Sequence, residues 1–142
     1  MKKAEEIMTR NPVCCVPENS VIDAAQLMKS EDVGPIPVIE NAQNKRLVGI
    51  LTDRDIVIKV IAENRDPKNT KIQDAMTPNP VSCFPDDDLD DVLGAMEQNQ
   101  IRRIPVVDHD NYLVGIIAQA DVAIRLDKTK KTGEVVEEIS KR

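Results

Sequence analysis

The sequence has almost no aromatic surface. Phe84 and Tyr112 are its only phenyl-type side chains, and tryptophan is absent. That argues against stacking platforms for single-stranded nucleic acid or carbohydrate, and it leaves Val, Ile, Leu, Met and Ala to build the core. Long apolar runs are also missing. None approaches the roughly 20 residues needed to cross a bilayer, so no membrane span is expected. The start, Met1-Lys2-Lys3-Ala4-Glu5-Glu6, has no apolar stretch behind its lysines and does not read as a signal peptide. Cysteine is sparse: Cys14, Cys15 and Cys83 form no CxxC, which fits a reducing compartment, and the cytoplasm is the expected location. The single histidine, His109, falls in a turn, and without clustered ligands no metal is expected. There is no glycine-rich phosphate loop and no Ser/His/Asp set, so nothing points to catalysis. Basic surface is scarce as well. With a net charge of −6 and no basic stripe, the chain is a poor nucleic-acid binder. Lys128, Lys130, Lys131, Lys141 and Arg142 are interleaved with Asp127, Glu134, Glu137 and Glu138, and read as a solvated helical tail.

What is present is a repeat. Met8-Thr9-Arg10-Asn11-Pro12-Val13 returns as Met76-Thr77-Pro78-Asn79-Pro80-Val81, at an offset of 68 residues. Ile36-Pro37-Val38 returns as Ile104-Pro105-Val106 at the same offset, and Leu47-Val48-Gly49-Ile50 as Leu113-Val114-Gly115-Ile116 at 66. The difference is a shorter turn in the second copy. Each copy, at roughly 65 residues, would bury little surface alone, so the pair is expected to share one core. The boundaries are drawn at 1–66 for the first repeat and 67–142 for the second with its charged tail. The polar stretch Ala62 to Lys71 is read as the linker.

Both copies carry the same punctuation. A short extended piece (Val13 to Val16; Val81 to Phe84) ends at a proline. A helix follows, with Ser20 as N-cap and Asp23 three residues on, or with Asp86 to Asp88 at its start. Apolar residues at helical spacing run about Val21 to Ser30 and Leu89 to Asn99. Two strands then pair as a hairpin, Ile36 to Ile39 with Leu47 to Leu51, and Ile104 to Val107 with Leu113 to Ile117. A second helix begins at Asp53 and at Gln119. Each unit is strand, helix, strand, strand, helix, and the class is α/β or α+β.

The candidate site residues lie where the hairpin meets the second helix. Thr52 sits at the strand-to-helix junction, where a hydroxyl and backbone amides can hold an anion or sugar hydroxyls. Asp55, in the first helical turn, can accept from a ribose diol. Capping alone also accounts for such a pair. Cys15 and Cys83 share one repeat position and read as small buried strand residues. Cys14 points to the opposite face, which makes a vicinal disulfide awkward.

The order Met-Thr-x-x-Pro-Val, helix, hydrophobic-Pro-Val, turn, Leu-Val-Gly-Ile-x-Thr-x-x-Asp, given twice from about Ile7 to Ala123 with alanine for the threonine in the second copy, resembles a tandem pair of CBS domains, the Bateman module. The resemblance implies two repeats packed with pseudo-twofold symmetry. It also implies an adenosine-type nucleotide (AMP, ADP or ATP, or S-adenosylmethionine) held in the cleft between them, and a symmetric homodimer. On this basis Val13, Ile36 and Pro37 line the base, Thr52 and Asp55 take the ribose and nearby phosphate, and Arg102 and Arg103 of the second repeat meet the phosphate, a fitting task for guanidinium groups. The symmetry-related site is degenerate: Thr52 becomes Ala118 and Arg102-Arg103 becomes Gly34-Pro35, while Asp121 remains. One working pocket per chain follows. The expected function is non-catalytic nucleotide sensing on behalf of an unknown regulated protein. The alternatives are a ligand-free dimeric protein-interaction module and a redox or stress-response module.

Overall fold

The computed structural model describes residues 2–125, and the expected helical tail lies outside them. The chain divides into two compact units that exchange segments relative to the sequence repeats. One holds residues 11–80 with 109–113, and the other holds 2–10, 81–108 and 114–125 of the described residues.

In the unit formed mainly by residues 11–80, helix α1 (Val21–Glu31) buries Val21, Ala24 and Met28, spaced three and four apart as one helical face requires. Ser20 Oγ accepts from Asp23 N at 3.3 Å. The remaining first-turn donors are met by the linker: Val21 N donates to Thr70 O at 2.8 Å and Ile22 N to Pro67 O at 3.2 Å. The polar linker is therefore a structural cap, fixed in turn by Thr70 Oγ1 donating to Asp66 O at 2.8 Å. The helix ends at Asp32 in the left-handed conformation, φ 54°.

The sheet of this unit runs β2 (Ile36–Ile39), β3 (Leu47–Leu51), β4 (Thr77–Pro78), all antiparallel, with Ile36 opposite Leu51 and Ile50 opposite Thr77. The extended piece expected at Val13 to Val16 contributes only one bridge, Cys15 parallel to Val38, with Cys15 N donating to Pro37 O and Ile39 N to Cys15 O. Two prolines set that limit. The next rung in one direction needs an N–H on Pro17, and in the other an N–H on Pro37, and neither exists. The second copy repeats the arrangement, with Cys83 bridging Val106 between Pro85 and Pro105.

Helix α2 (Asp53–Ile56) runs on into a π-helical turn, Val57–Ile61, in which Ala62 N donates to Val57 O at 2.8 Å. Ile56 and Val60 are buried, while Val57, Ile58 and Ile61 are 55%, 50% and 53% exposed.

The other unit has the sheet order β1 (Thr9–Arg10), β6 (Leu113–Ala118), β5 (Arg103–Val107). Its helix α3 (Leu89–Gln98) buries Leu89, Val92 and Met96. The N-cap residue Asp88 turns its carboxylate to Lys3 Nζ at 2.7 Å, and Leu89 N donates to Lys2 O at 3.0 Å, so the chain start caps this helix. Helix α4 (119–125) follows β6 and buries Val122. No helix among the described residues is long and apolar enough to cross a membrane.

Each unit has its own cluster of buried residues, which corrects the expectation of one shared core. The exchange explains it. Ile72 and Ala75, from the start of the second repeat, complete the first cluster, and Ala4, from the chain start, completes the second. The glycines of the repeated Leu-Val-Gly-Ile motif permit the exchanged strands to come close. A Cβ on Gly49 would lie 2.6 Å from Met76 Sδ and 3.0 Å from Thr77 O; one on Gly115 would lie 2.7 Å from Met8 Sδ and 3.0 Å from Thr9 O.

Candidate functional site

β3 alternates its burial so that Leu47, Gly49 and Leu51 face the core, and it delivers Thr52 to the start of α2 in extended conformation, φ −112° and ψ 161°. Thr52 and Asp55 form a reciprocal capping box. Asp55 N donates to Thr52 Oγ1 at 3.0 Å, and Thr52 N donates to Asp55 Oδ2 at 3.0 Å. The hydroxyl accepts in this arrangement and keeps its own proton to donate. Asp55 Oδ1 faces Lys59 Nζ at 3.3 Å, with the carboxylate side chain 15% exposed. The ion-pair partner of Asp55 is thus Lys59, one turn along the helix.

The strand pairing adds residues that the motif alone did not indicate. Because Ile50 lies opposite Thr77, the segment Ala75 to Thr77 runs beside the end of β3, and Lys59 Nζ donates to Ala75 O at 3.1 Å. The Asp55/Lys59 spacing of four was a readable helical-pair signal, whereas the approach of Ala75 depends on the strand exchange.

The other candidate positions sort by unit. Val13 is partly exposed; Ile36 is wholly buried within the core cluster beside Leu51; Pro37 is buried, and its carbonyl accepts from Cys15 N. Gly34 is partly exposed, and a Cβ there would lie 3.3 Å from Asp53 Oδ1. These share a unit with Thr52 and Asp55. Arg102 and Arg103 belong to the other unit, Arg102 exposed and Arg103 opening β5, and Arg102 O accepts from Gln119 N at 2.7 Å. Ala118 ends β6 without a hydroxyl, and Asp121 is exposed on α4. The repeat equivalent of the Thr52–Asp55 corner therefore lacks one of its two side-chain partners.

All three cysteines are free thiols. Burial pushes Cys15 and Cys83 up to about 12 and raises Cys14 as well, the last opposed by the nearby Lys45 ammonium. Neutral thiols are poor nucleophiles and poor metal ligands. Among the described residues no group of three or more His, Cys, Asp or Glu stands together to hold a metal ion.

A sequence profile described as "CBS domain" matches residues 4–62 and again 72–128. Hypoxic response protein 1 of Mycobacterium tuberculosis is 34% identical over 126 residues, covering 89% of this chain and 86% of that protein. The crystal structure of Hypoxic Response Protein I, with two coordinated zinc ions, superposes with a TM-score of 0.78 over 86% of this chain and 97% of that one. CBSX2 in complex with AMP has a TM-score of 0.78 at 28% identity, covering 92% and 99% of the two chains. The CBS domain pair of protein MJ0100, in complex with 5′-methylthioadenosine and S-adenosyl-L-methionine, has a TM-score of 0.79 at 28% identity, covering 92% and 98%. The doubled motif, the two mixed units of helix and three-stranded sheet, and the two profile matches agree: the chain belongs to the CBS-domain family and carries a tandem pair of CBS domains.

Proposed function

We propose that this CBS pair is a non-catalytic regulatory module that binds an adenosine-type nucleotide (AMP, ADP or ATP) and passes the change to a regulated protein. The observation that carries the reading is the Thr52–Asp55 box. It presents a hydroxyl and an oriented carboxylate at one strand-to-helix junction, while the equivalent junction has Ala118 in place of the threonine. A carboxylate with unused lone pairs suits two neighbouring ribose hydroxyls, and Arg102 and Arg103 are assigned to the phosphate. The adenosine moiety common to the ligands of CBSX2 and of the MJ0100 pair supports the ligand class. Val13 and Pro37 complete the assignment on the base side, with Ile36 supporting them from the core. Three free thiols fit a cytoplasmic setting.

Titration calorimetry with AMP, ADP and ATP tests the reading. One equivalent should bind per chain; Asp55→Ala should abolish binding and Asp121→Ala should leave it nearly unchanged. Two equivalents, or equal losses from both variants, would overturn the single-site assignment.

A second reading is favoured by the exposed apolar trio Val57, Ile58 and Ile61, which gives the π-helical turn a surface suited to protein association. On that reading the chain is a homodimeric interaction module with no small ligand. It predicts a dimer in light scattering together with no heat from any adenine nucleotide.

A further inference from the structure

We propose that Lys59 is the positioning residue that makes the Thr52–Asp55 corner selective for a vicinal diol. This inference rests on the nucleoside reading above and adds to it a residue that the family motif does not contain.

The two oxygens of Asp55 have different partners. Oδ2 is fixed by the Thr52 N–H at 3.0 Å, and Oδ1 faces the Lys59 ammonium at 3.3 Å. An exposed lysine four residues along a helix is ordinarily a loose partner, because holding its long side chain in place costs conformational entropy. Here the ammonium has a second anchor. Lys59 Nζ donates to Ala75 O at 3.1 Å, and Ala75 is fully buried in the segment that leads into β4. The lysine is carried on the π-helical turn Val57–Ile61 and joins α2 to that segment. Both carboxylate oxygens are thereby oriented, one by backbone and one by a tethered cation.

A carboxylate offers about four lone-pair directions, two of which are used in this arrangement. A single ligand hydroxyl can reach one remaining lone pair over a wide range of carboxylate rotations. Two vicinal hydroxyls must find two lone pairs at once, which succeeds only if the carboxylate plane is held. Lys59 therefore bears on the second hydroxyl far more than on the first. In the other unit Ile7 stands at the position of Ala75 and Arg125 at that of Lys59. There Glu6, Ile7, Met8, Asp121, Ile124 and Arg125 line a cavity of about 350 Å³.

The test uses the full chain with adenosine and 2′-deoxyadenosine as probes, read by calorimetry. Wild type should prefer adenosine on the order of tenfold, the factor expected for one hydrogen bond to a charged group. Lys59→Met keeps the aliphatic stem and removes the ammonium. It should bring that ratio close to one through weaker adenosine binding, with 2′-deoxyadenosine unchanged. Lys59→Arg, which keeps a cationic donor, should recover most of the preference. Because the Lys59 side chain is 42% exposed, the Met variant should melt close to wild type. An unchanged ratio in Lys59→Met, or equal weakening of both ligands, would overturn the proposal and leave the nucleoside reading standing. Failure of wild type to bind either nucleoside would remove both.

Discussion

Adding one methyl group at Gly49 should test the strand exchange directly. Its Cβ would lie 2.6 Å from Met76 Sδ, 3.1 Å from Met76 Cγ and 3.0 Å from the Thr77 carbonyl. The methionine end can swing aside, but the carbonyl belongs to a strand pair and moves only with β4. Overpacking of this kind costs about 1–3 kcal/mol. Gly49 has no positive φ, so alanine gains about 0.4–1 kcal/mol by restricting the unfolded chain. The net lies between about zero and a loss of about 2.6 kcal/mol, which lowers the melting temperature by up to roughly 10 °C for a chain of this size. Gly94, exposed in α3 with nothing within 4 Å of a built Cβ, is the control. Gly94→Ala should raise stability by about 0.5–1 kcal/mol from helix propensity alone. Met76→Ala and Gly49→Ala together should cost less than the sum of the two single losses, because the first removes the sulfur contact and leaves the carbonyl contact. Urea denaturation of the single variants and the double-mutant cycle reads all of these. If Gly49→Ala gains as much stability as Gly94→Ala, the close approach of β4 to β3 is refuted, and with it the placement of Ala75 beside Lys59.

Two further outcomes are expected. Replacing Arg102 and Arg103 together by alanine should weaken AMP by about tenfold or more per arginine while sparing adenosine, since only phosphate contacts are lost; unchanged AMP affinity would assign these arginines to another surface. The folded-state thiols of Cys15 and Cys83 lie at about 12, above an ordinary 9, so the unfolded chain releases those protons first. Their stabilisation is then complete below pH 9 and is lost as pH rises towards 12, at up to about 1.4 kcal/mol per pH unit for each thiol. Urea melts between pH 8 and 10.5 should fall more steeply for wild type than for the Cys15→Ala/Cys83→Ala variant, and equal slopes would refute the assignment.

Local and periodic features were determined by sequence alone. The offset repeat dictated two similar units. The three-and-four spacing of Val21, Ala24 and Met28, with Ser20 before them, dictated α1 almost to its last residue. The apolar run Leu47 to Leu51 after a turn dictated β3, and Thr52 and Asp55 marked the junction where a capping box forms. These follow from contacts within a few residues, which a linear chain displays. Tertiary structure decided which copy each segment completes. Thr9 pairs with Ile116 and Thr77 with Ile50, so each sheet takes its edge strand from the start of the other repeat. The two copies of Met-Thr are alike, and their motif is equally compatible with either partner. Only packing in three dimensions distinguishes them, through glycines that admit a methionine from afar. The same is true of the linker carbonyls that cap α1 and of Lys59, whose second anchor on Ala75 is sixteen residues away and has no local signature. A helical pair can be read from spacing, but a buried carbonyl that makes it rigid is supplied by the fold.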